Sequence, residues 1–296
     1  MHRINGILVK AISGFYYVFC EDGNTVECKA RGNFRKTGCS PVVGDKVSIA
    51  VENGKGVVEE IAPRKNLLTR PSVSNIDKLF IVSAFEIPSP DALFIDRMTA
   101  LAVYHDIEPV IVFNKKDLGD FSSWMEIYRK AGFKTFAVSA KTGEGIEEVR
   151  AQLHGCVAAF SGNSGVGKSS ILNAVFGELS LQTGAVSEKL GRGRHTTRHV
   201  ELYRHERDGF VADTPGFSSL EADLTDYRFK ECLSECFPEF TRIEEPCRFT
   251  SCSHTCEKGC AVLAAVNGGE IAPSRHESYC TLFSELKDLQ PWNTKN

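Results

Sequence analysis

Along residues 1–70, apolar positions come in short runs that alternate with polar ones, and turn residues interrupt them. Ile4–Lys10, Phe15–Cys20, Thr25–Ala30, Asp45–Glu52 and Gly56–Ile61 read as strands, many of them rich in Val, Ile and aromatic residues. Glu21-Asp22-Gly23-Asn24 and Glu52-Asn53-Gly54 stand between them as turn sequences. Five short strands with no long helical period predict a small all-β barrel of the OB type.

The period changes near residue 71. Leu79–Val82, Pro109–Phe113, Thr135–Val138, Val157–Phe160 and Phe210–Ala212 read as buried strands. Leu93–Tyr104, Ser122–Ala131, Ile146–Leu153 and Ser169–Phe176 read as helices between them. Such alternation predicts a parallel, doubly wound α/β sheet with ligand loops at the C-terminal ends of its strands. Beyond residue 222, helices over Tyr227–Cys236, Cys260–Asn267 and Ser274–Leu289 surround a cysteine cluster. The expected organisation is therefore multidomain: an N-terminal barrel over 1–70, a central α/β domain over 71–222 and a mainly helical C-terminal domain over 223–296.

The central domain carries four nucleotide motifs. Gly162-Asn163-Ser164-Gly165-Val166-Gly167-Lys168-Ser169 follows an apolar strand and opens a helix, the context that a phosphate-binding loop requires. Its glycines let successive backbone N–H groups wrap phosphates, and the helix N-terminus adds partial positive charge. Lys168 is placed to bridge the β- and γ-phosphates and the Ser169 hydroxyl to ligate Mg²⁺, with Ser170 extending the set. Asp213-Thr214-Pro215-Gly216 comes about fifty residues later. There Asp213 is expected to hold Mg²⁺ and the Gly216 N–H to touch the γ-phosphate.

Asn114-Lys115-Lys116-Asp117 and Ser139-Ala140-Lys141 are the base-reading pieces. The Asp117 carboxylate can accept the N1–H and 2-amino hydrogens of guanine. Adenine does not offer that pattern, and an acceptor left without donors rejects the wrong base. Asn114 is expected to buttress the loop, Lys115 to cover the base and the Ala140 N–H to reach O6. In ordinary GTPases these pieces follow the phosphate loop; here they precede it. The rotated order predicts a circularly permuted P-loop GTPase domain. Parallel strands depend on neighbours and crossover hand, so they tolerate a moved chain start.

Where many GTPases carry a water-orienting Gln after the Asp-x-x-Gly loop, this chain has Phe217, which has no polar group. The Gly- and Arg-rich stretch 191–199 supplies His195, whose neutral imidazole can accept a proton from water or align it. The alternative reading places His195, Arg194 and Arg198 on RNA phosphates. A Thr in the same stretch can cap Mg²⁺ and the γ-phosphate.

Seven of the eleven cysteines lie between Cys232 and Cys280. Cys247-x4-Cys252-x-His254-x5-Cys260 offers three thiolates and an imidazole, a common closed tetrahedral zinc set. Cys256 competes for one ligand place. Met1–Gly6 has no signal-peptide pattern and no apolar run approaches the roughly 20 residues of a membrane helix. A cytoplasmic protein with no membrane partner is expected, so metal binding is read before disulfides. With no oligomerisation signal, a monomer is expected. Net charge is only −3, but residues 1–70 hold eleven Lys/Arg against seven Asp/Glu. The basic barrel, with Phe15, Tyr16, Tyr17, Phe19 and Phe34 among Lys29, Arg31, Arg35 and Lys36, suits RNA stacking and phosphate contact; barrel filling is the other use of these aromatics.

With the rotated motifs, the barrel, Gly193-Arg194-His195-Thr196-Thr197 and the Cys3His set, the chain resembles the RsgA (YjeQ/YloQ) family of GTPases over essentially all 296 residues. The resemblance implies a bacterial enzyme cleaving GTP to GDP and phosphate. It implies binding to the immature small (30S) ribosomal subunit, with barrel and zinc domain on its rRNA. Hydrolysis would be stimulated by the subunit and coupled to release late in maturation. It also implies His195 as the catalytic residue, Thr197 as the Mg²⁺-sensing threonine, and Cys247, Cys252, His254 and Cys260 as ligands of one structural Zn²⁺. Arg198 departs from the family pattern and leaves the choice between Thr196 and Thr197 open; Cys256 leaves one ligand place open. A GTP-gated RNA-binding switch with incidental hydrolysis is the competing function, and subunit-stimulated turnover separates the two. A phosphotransferase would need an acceptor site that the sequence does not show.

Overall fold

The computed structural model describes residues 2–32, 34, 39–52, 54–69, 72–85, 88–180, 200–205, 208–213 and 227–290. Its N-terminal strands are β1 (His2–Ile12), β2 (Phe15–Cys20), β3 (Thr25–Ala30), β4 (Lys46–Glu52) and β5 (Lys55–Ile61). β1 pairs antiparallel with β2 and with β4, β3 runs parallel to β5, and β4 pairs with β5, which closes the barrel. Closure removes the free edges that an open five-stranded sheet would expose. The register of β1 against β2 shifts between Leu8 and Lys10, a bulge that bends the long strand. Val18, Cys20, Cys28, Val47, Ile49 and Val58 fill the interior, as the period-2 alternation requires.

A short hairpin, β6 (Leu67–Thr69) with β7 (Ser72–Ser74), follows the barrel and was not legible from so few residues. Asp45, wholly buried, ties it down: its carboxylate accepts from Arg64 Nε at 2.7 Å, Ser74 Oγ at 2.6 Å and the Val42 N–H at 2.8 Å.

The α/β part contains β8 (Lys78–Ala84), α1 (Ala92–Tyr104), β9 (Glu108–Asn114), α2 (Ser122–Ala131), β10 (Lys134–Ala137), α3 (Ile146–Ala151), β11 (Val157–Ser161), α4 (Lys168–Ser180), β12 (Glu201–His205) and β13 (Gly209–Asp213). The strand order β10-β9-β8-β11-β13-β12 is parallel except for β12. The strands that lead into all four nucleotide motifs therefore point their C-terminal ends at one edge. β12 was not anticipated from the sequence. It buries Leu202 and His205, exposes Arg204, and continues the sheet into the barrel, Lys10 on β1 pairing with Glu201. The joint is further packed by Phe19, with the Arg204 guanidinium 4.7 Å from its ring centroid and Phe210 edge-on at 5.8 Å.

The C-terminal part contains α5 (Tyr227–Glu231), α6 (Pro238–Thr241), α7 (Ala261–Asn267) and α8 (Pro273–Leu286). The first helix is shorter than the sequence suggests and ends at Glu231. Residues 232–236 form consecutive turns, and Phe237 adopts the extended backbone favoured before proline ahead of Pro238. Arg275 on α8 is wholly buried and bonds Glu239 and Asp96, docking this unit onto α1 of the α/β domain. Among the described residues, no helix is long and apolar enough to cross a membrane.

Candidate nucleotide site and metal centre

β11 is buried along its length and delivers the chain into the phosphate loop. Gly167 sits at φ +92°, and a Cβ there would overlap the Asn114 side-chain amide. Glycine is thus required twice, for the left-handed backbone and for the close approach. Lys168 opens α4, and its ammonium donates to the carbonyl oxygens of Gly162 at 2.6 Å and Asn163 at 3.0 Å. The group stands across the mouth of the loop. Burial lowers its pKa, because desolvation disfavours the charged ammonium. Asn163, Ser164 and Gly165 are exposed at the loop's rim, and Val166 is buried beneath it. Ser169 and Ser170 lie in the first turn of α4.

Asn114 is the clamp that joins the motifs. It is 3% exposed, its Nδ2 donates to the Val166 carbonyl at 2.9 Å and its Oδ1 accepts the Ala140 N–H at 3.1 Å. One side chain therefore fixes the distance between phosphate loop and base-reading loops. Lys115 adopts φ +65° and starts the single 3-10 turn Lys116–Leu118 that carries Asp117. The Asp117 carboxylate is exposed and accepts from Ser139 Oγ at 2.7 Å. That bond holds its carboxyl below the usual range, so it stays an ionised acceptor. Ser139 is itself wholly buried, and its Oγ accepts the Thr142 N–H at 3.2 Å. Lys116 pairs with Glu144, and Lys141 is exposed and adds an electrostatic contribution to the lowering at Asp117.

Asp213 ends β13, next to β11, which places its backbone beside the phosphate loop. Gly216, His195, Thr196 and Thr197 lie outside the described residues.

In the C-terminal unit, one ligand atom from each of Cys247, Cys252, His254 and Cys260 lies within 4.8 Å of the others. His254 Nδ1 is 3.6 Å from both the Cys247 and Cys260 sulfurs, an orientation reached at φ +60°. The N-terminus of α7 supports the thiolates: Cys247 Sγ accepts the Ala261 N–H at 3.3 Å and Cys260 Sγ the Leu263 N–H at 3.5 Å. Burial opposes ionisation of Cys247, but the Ala261 N–H and the neighbouring thiols outweigh it and hold the thiol below its ordinary value. Three sulfurs and one imidazole converging this closely fit the donor set of a tetrahedral zinc site. Cys256 is exposed and stands outside the group. Outside the convergence, Glu257 organises the loop, accepting N–H bonds from Ser253, Thr255 and Cys256.

Sequence reasoning missed the buried ionic groups, Asp45 with Arg64 and Arg275 with Asp96 and Glu239. Nothing in the local pattern distinguishes such residues from a solvated helix face or loop.

Comparison with known proteins agrees with this geometry. A family model described as RsgA GTPase matches residues 61–223, and one described as RsgA N-terminal domain matches residues 5–58. The protein named small ribosomal subunit biogenesis GTPase RsgA from Caldanaerobacter subterraneus subsp. tengcongensis is 45% identical, with both chains covered in full. Its namesake from Agathobacter rectalis is 42% identical over 98% of this chain and all of its own. The crystal structure of YjeQ from Thermotoga maritima superposes with a TM-score of 0.85 at 37% identity, covering 98% of this chain and all of that one. YloQ, described as a circularly permuted GTPase, superposes at 0.81 and 33% identity, covering 98% and 97%. Motif order, strand order and full-length similarity agree, and the chain belongs to the RsgA family of GTPases.

Proposed function

We propose that this chain hydrolyses GTP on the small (30S) ribosomal subunit during its late maturation, the subunit stimulating turnover and hydrolysis triggering release. The observation that carries the proposal is the Asn114 clamp, which holds phosphate loop and guanine-reading loop in one register. The names of the full-length relatives supply the partner. The division of labour follows the units 1–70, 71–222 and 223–296, with barrel and C-terminal unit on rRNA and the centre on nucleotide. We place the protein in the cytoplasm as a monomer, without a membrane partner.

In this reading Gly162–Ser170 cradle the phosphates, and Lys168 exchanges the loop carbonyls for β- and γ-phosphate oxygens. Asn114–Asp117 and Ser139–Lys141 hold guanine. Ser169, Asp213 and Thr197 would hold Mg²⁺, which neutralises charge on the phosphates when bound. The Gly216 N–H contacts the γ-phosphate. His195 aligns the attacking water, the task that Phe217 cannot perform. Cys247, Cys252, His254 and Cys260 would hold one Zn²⁺, which supplies cross-links rather than chemistry.

Steady-state hydrolysis of GTP, with ATP as control, is the direct test. Purified small subunits are expected to raise GTP turnover by more than about tenfold, or about 1.4 kcal/mol of barrier, and to leave ATP unhydrolysed. His195→Ala should then lower stimulated turnover by about a hundredfold with GTP binding intact. Turnover that the subunit leaves unchanged would favour the passive switch.

The barrel aromatics divide their work. Phe19 is used in the joint with β12 and β13, whereas Phe15 is exposed with Lys29 Nζ 5.4 Å from its ring centroid. Arg35 and Lys36 lie outside the described residues. Phe15→Ala should weaken subunit binding by about 1–3 kcal/mol, the worth of one stacked base, without changing turnover in the subunit's absence. Filter binding with labelled subunits measures it, and unaltered affinity would remove Phe15 from the RNA surface.

A further inference from the structure

Beneath the base-reading turn lies a row of aromatic rings that nucleotide motifs do not explain. Phe113 immediately precedes Asn114 and stacks on Phe121 at 5.0 Å between centroids, 26° from parallel. Phe121, wholly buried just before α2, meets Phe85 edge-on at 5.5 Å. The Phe85 backbone N–H donates to the Asn114 carbonyl at 3.3 Å, so the ring begins at the same junction. Its face then lies against Gly119: a Cβ at that position would overlap the Phe85 ring. Gly119 closes the turn that carries Asp117, its N–H donating to the Lys116 carbonyl at 3.3 Å. The far end of the row is anchored too. Phe113 contacts Tyr128 at 6.3 Å, and Tyr128 faces the buried Arg275 guanidinium at 5.8 Å.

Asp117 is exposed, and its described support is the Ser139 hydroxyl and its own turn. A one-turn 3-10 segment has poor hydrogen-bond geometry and little stiffness of its own. The rings supply what it lacks: Phe85 lies directly against Gly119, and Phe121 and Phe113 back Phe85 from the core, which fixes the end of the turn. We infer that Phe85 and Phe121 are positioning residues for guanine recognition, holding Asp117 where its two oxygens meet N1–H and the 2-amino group together. This inference rests on the assignment of Asp117 as the base reader. Neither ring touches nucleotide; they act through Gly119 and the turn.

The distinguishing readout is the preference for GDP over IDP, which lacks only the 2-amino group. A well-placed carboxylate loses one bond with IDP, and wild type should prefer GDP by at least about tenfold. Phe121→Leu and Phe85→Leu should narrow that preference by about threefold or more and raise the GDP dissociation constant, chiefly through faster release. Competition titrations against a fluorescent guanine nucleotide, with thermal melting to verify folding, make the measurement. If Phe121→Leu fails to fold, Phe85→Leu decides, since its ring is partly exposed and its loss is tolerable. Equal weakening of GDP and IDP, or an unchanged preference, overturns the inference. Asp117→Asn, assayed with GDP and XDP, tests the underlying reading separately: a gain for XDP upholds it, and no change in base preference removes both.

Discussion

Arg275→Met is expected to destabilise the docking of the C-terminal unit by on the order of 3–5 kcal/mol, the cost of breaking a buried ion pair by removing one partner. Arg275 is 1% exposed, and its Nε donates to Glu239 Oε1 and its Nη1 to Asp96 Oδ1, each at 2.7 Å. Burial works against its charge, but Asp96 and Glu239 overcome that and raise its pKa. Phe237 and Phe133 lie 4.6 and 5.3 Å from the guanidinium carbon, so apolar rings surround the pairs and water is excluded. Methionine fills most of the volume, which keeps the cavity contribution small. What remains is two buried carboxylates with no cation. Neutralising them in the same chain, with Asp96→Asn and Glu239→Gln, should recover most of the loss. Urea unfolding followed by tryptophan fluorescence is a suitable measurement, because Trp124 on α2 packs near Phe113. A wild-type midpoint in Arg275→Met would mean that docking depends on other contacts. The Arg97–Glu285 pair between the same helices is more exposed and is expected to contribute far less.

Metal removal is expected to have a still larger local effect, since structural zinc sites bind with apparent free energies of about 10–16 kcal/mol in small peptides. Residues 247–260 contain no strand and no helix longer than a turn, and their ligand atoms meet within 4.8 Å. Without a cation, thiolates converging there repel one another, and protonated thiols have little to hold them together. Chelation should abolish hydrogen-exchange protection across 247–263. The loss should extend into α8, because His276 Nε2 bonds the His254 carbonyl at 2.7 Å and Tyr279 Oη donates to the Ser253 carbonyl at 2.8 Å. Protection in β11 and α4 should persist. Elemental analysis should find one zinc per chain, retained in Cys256→Ser and lost in Cys260→Ser. Absence of zinc, or loss in Cys256→Ser alone, would overturn the proposed ligand set.

Much of this site was legible from the linear chain because its chemistry is local. A phosphate loop works through consecutive backbone N–H groups, and Gly162–Ser169 must be contiguous to do so. The Cys247–Cys260 set closes a loop of fourteen residues, short enough for spacing alone to predict convergence. Strand alternation in residues 1–70 predicted the five barrel strands to within a few residues because a closed barrel buries alternate side chains. The rotation of the motifs was legible for a different reason: order along the chain is a property of sequence, whereas the sheet they assemble is indifferent to it.

Other features have no local signature. β12 and the β6–β7 hairpin are short, and only their partners make them strands. Arg275 and Asp96 are separated by 179 residues, and each reads alone as an ordinary charged helix position. The sequence expects Asn114 to buttress its loop, but its joint hold on Val166 and Ala140, and Phe85 as a floor for Gly119, exist only once β8, β9 and β11 lie side by side. The sequence by itself determined the candidate chemistry, meaning which groups are proposed to meet phosphate, base and metal, since these depend on residue type at short spacing. Only the tertiary structure decided how those groups are held at fixed distances, because burial, charge pairing and ring contact join residues that the chain keeps far apart.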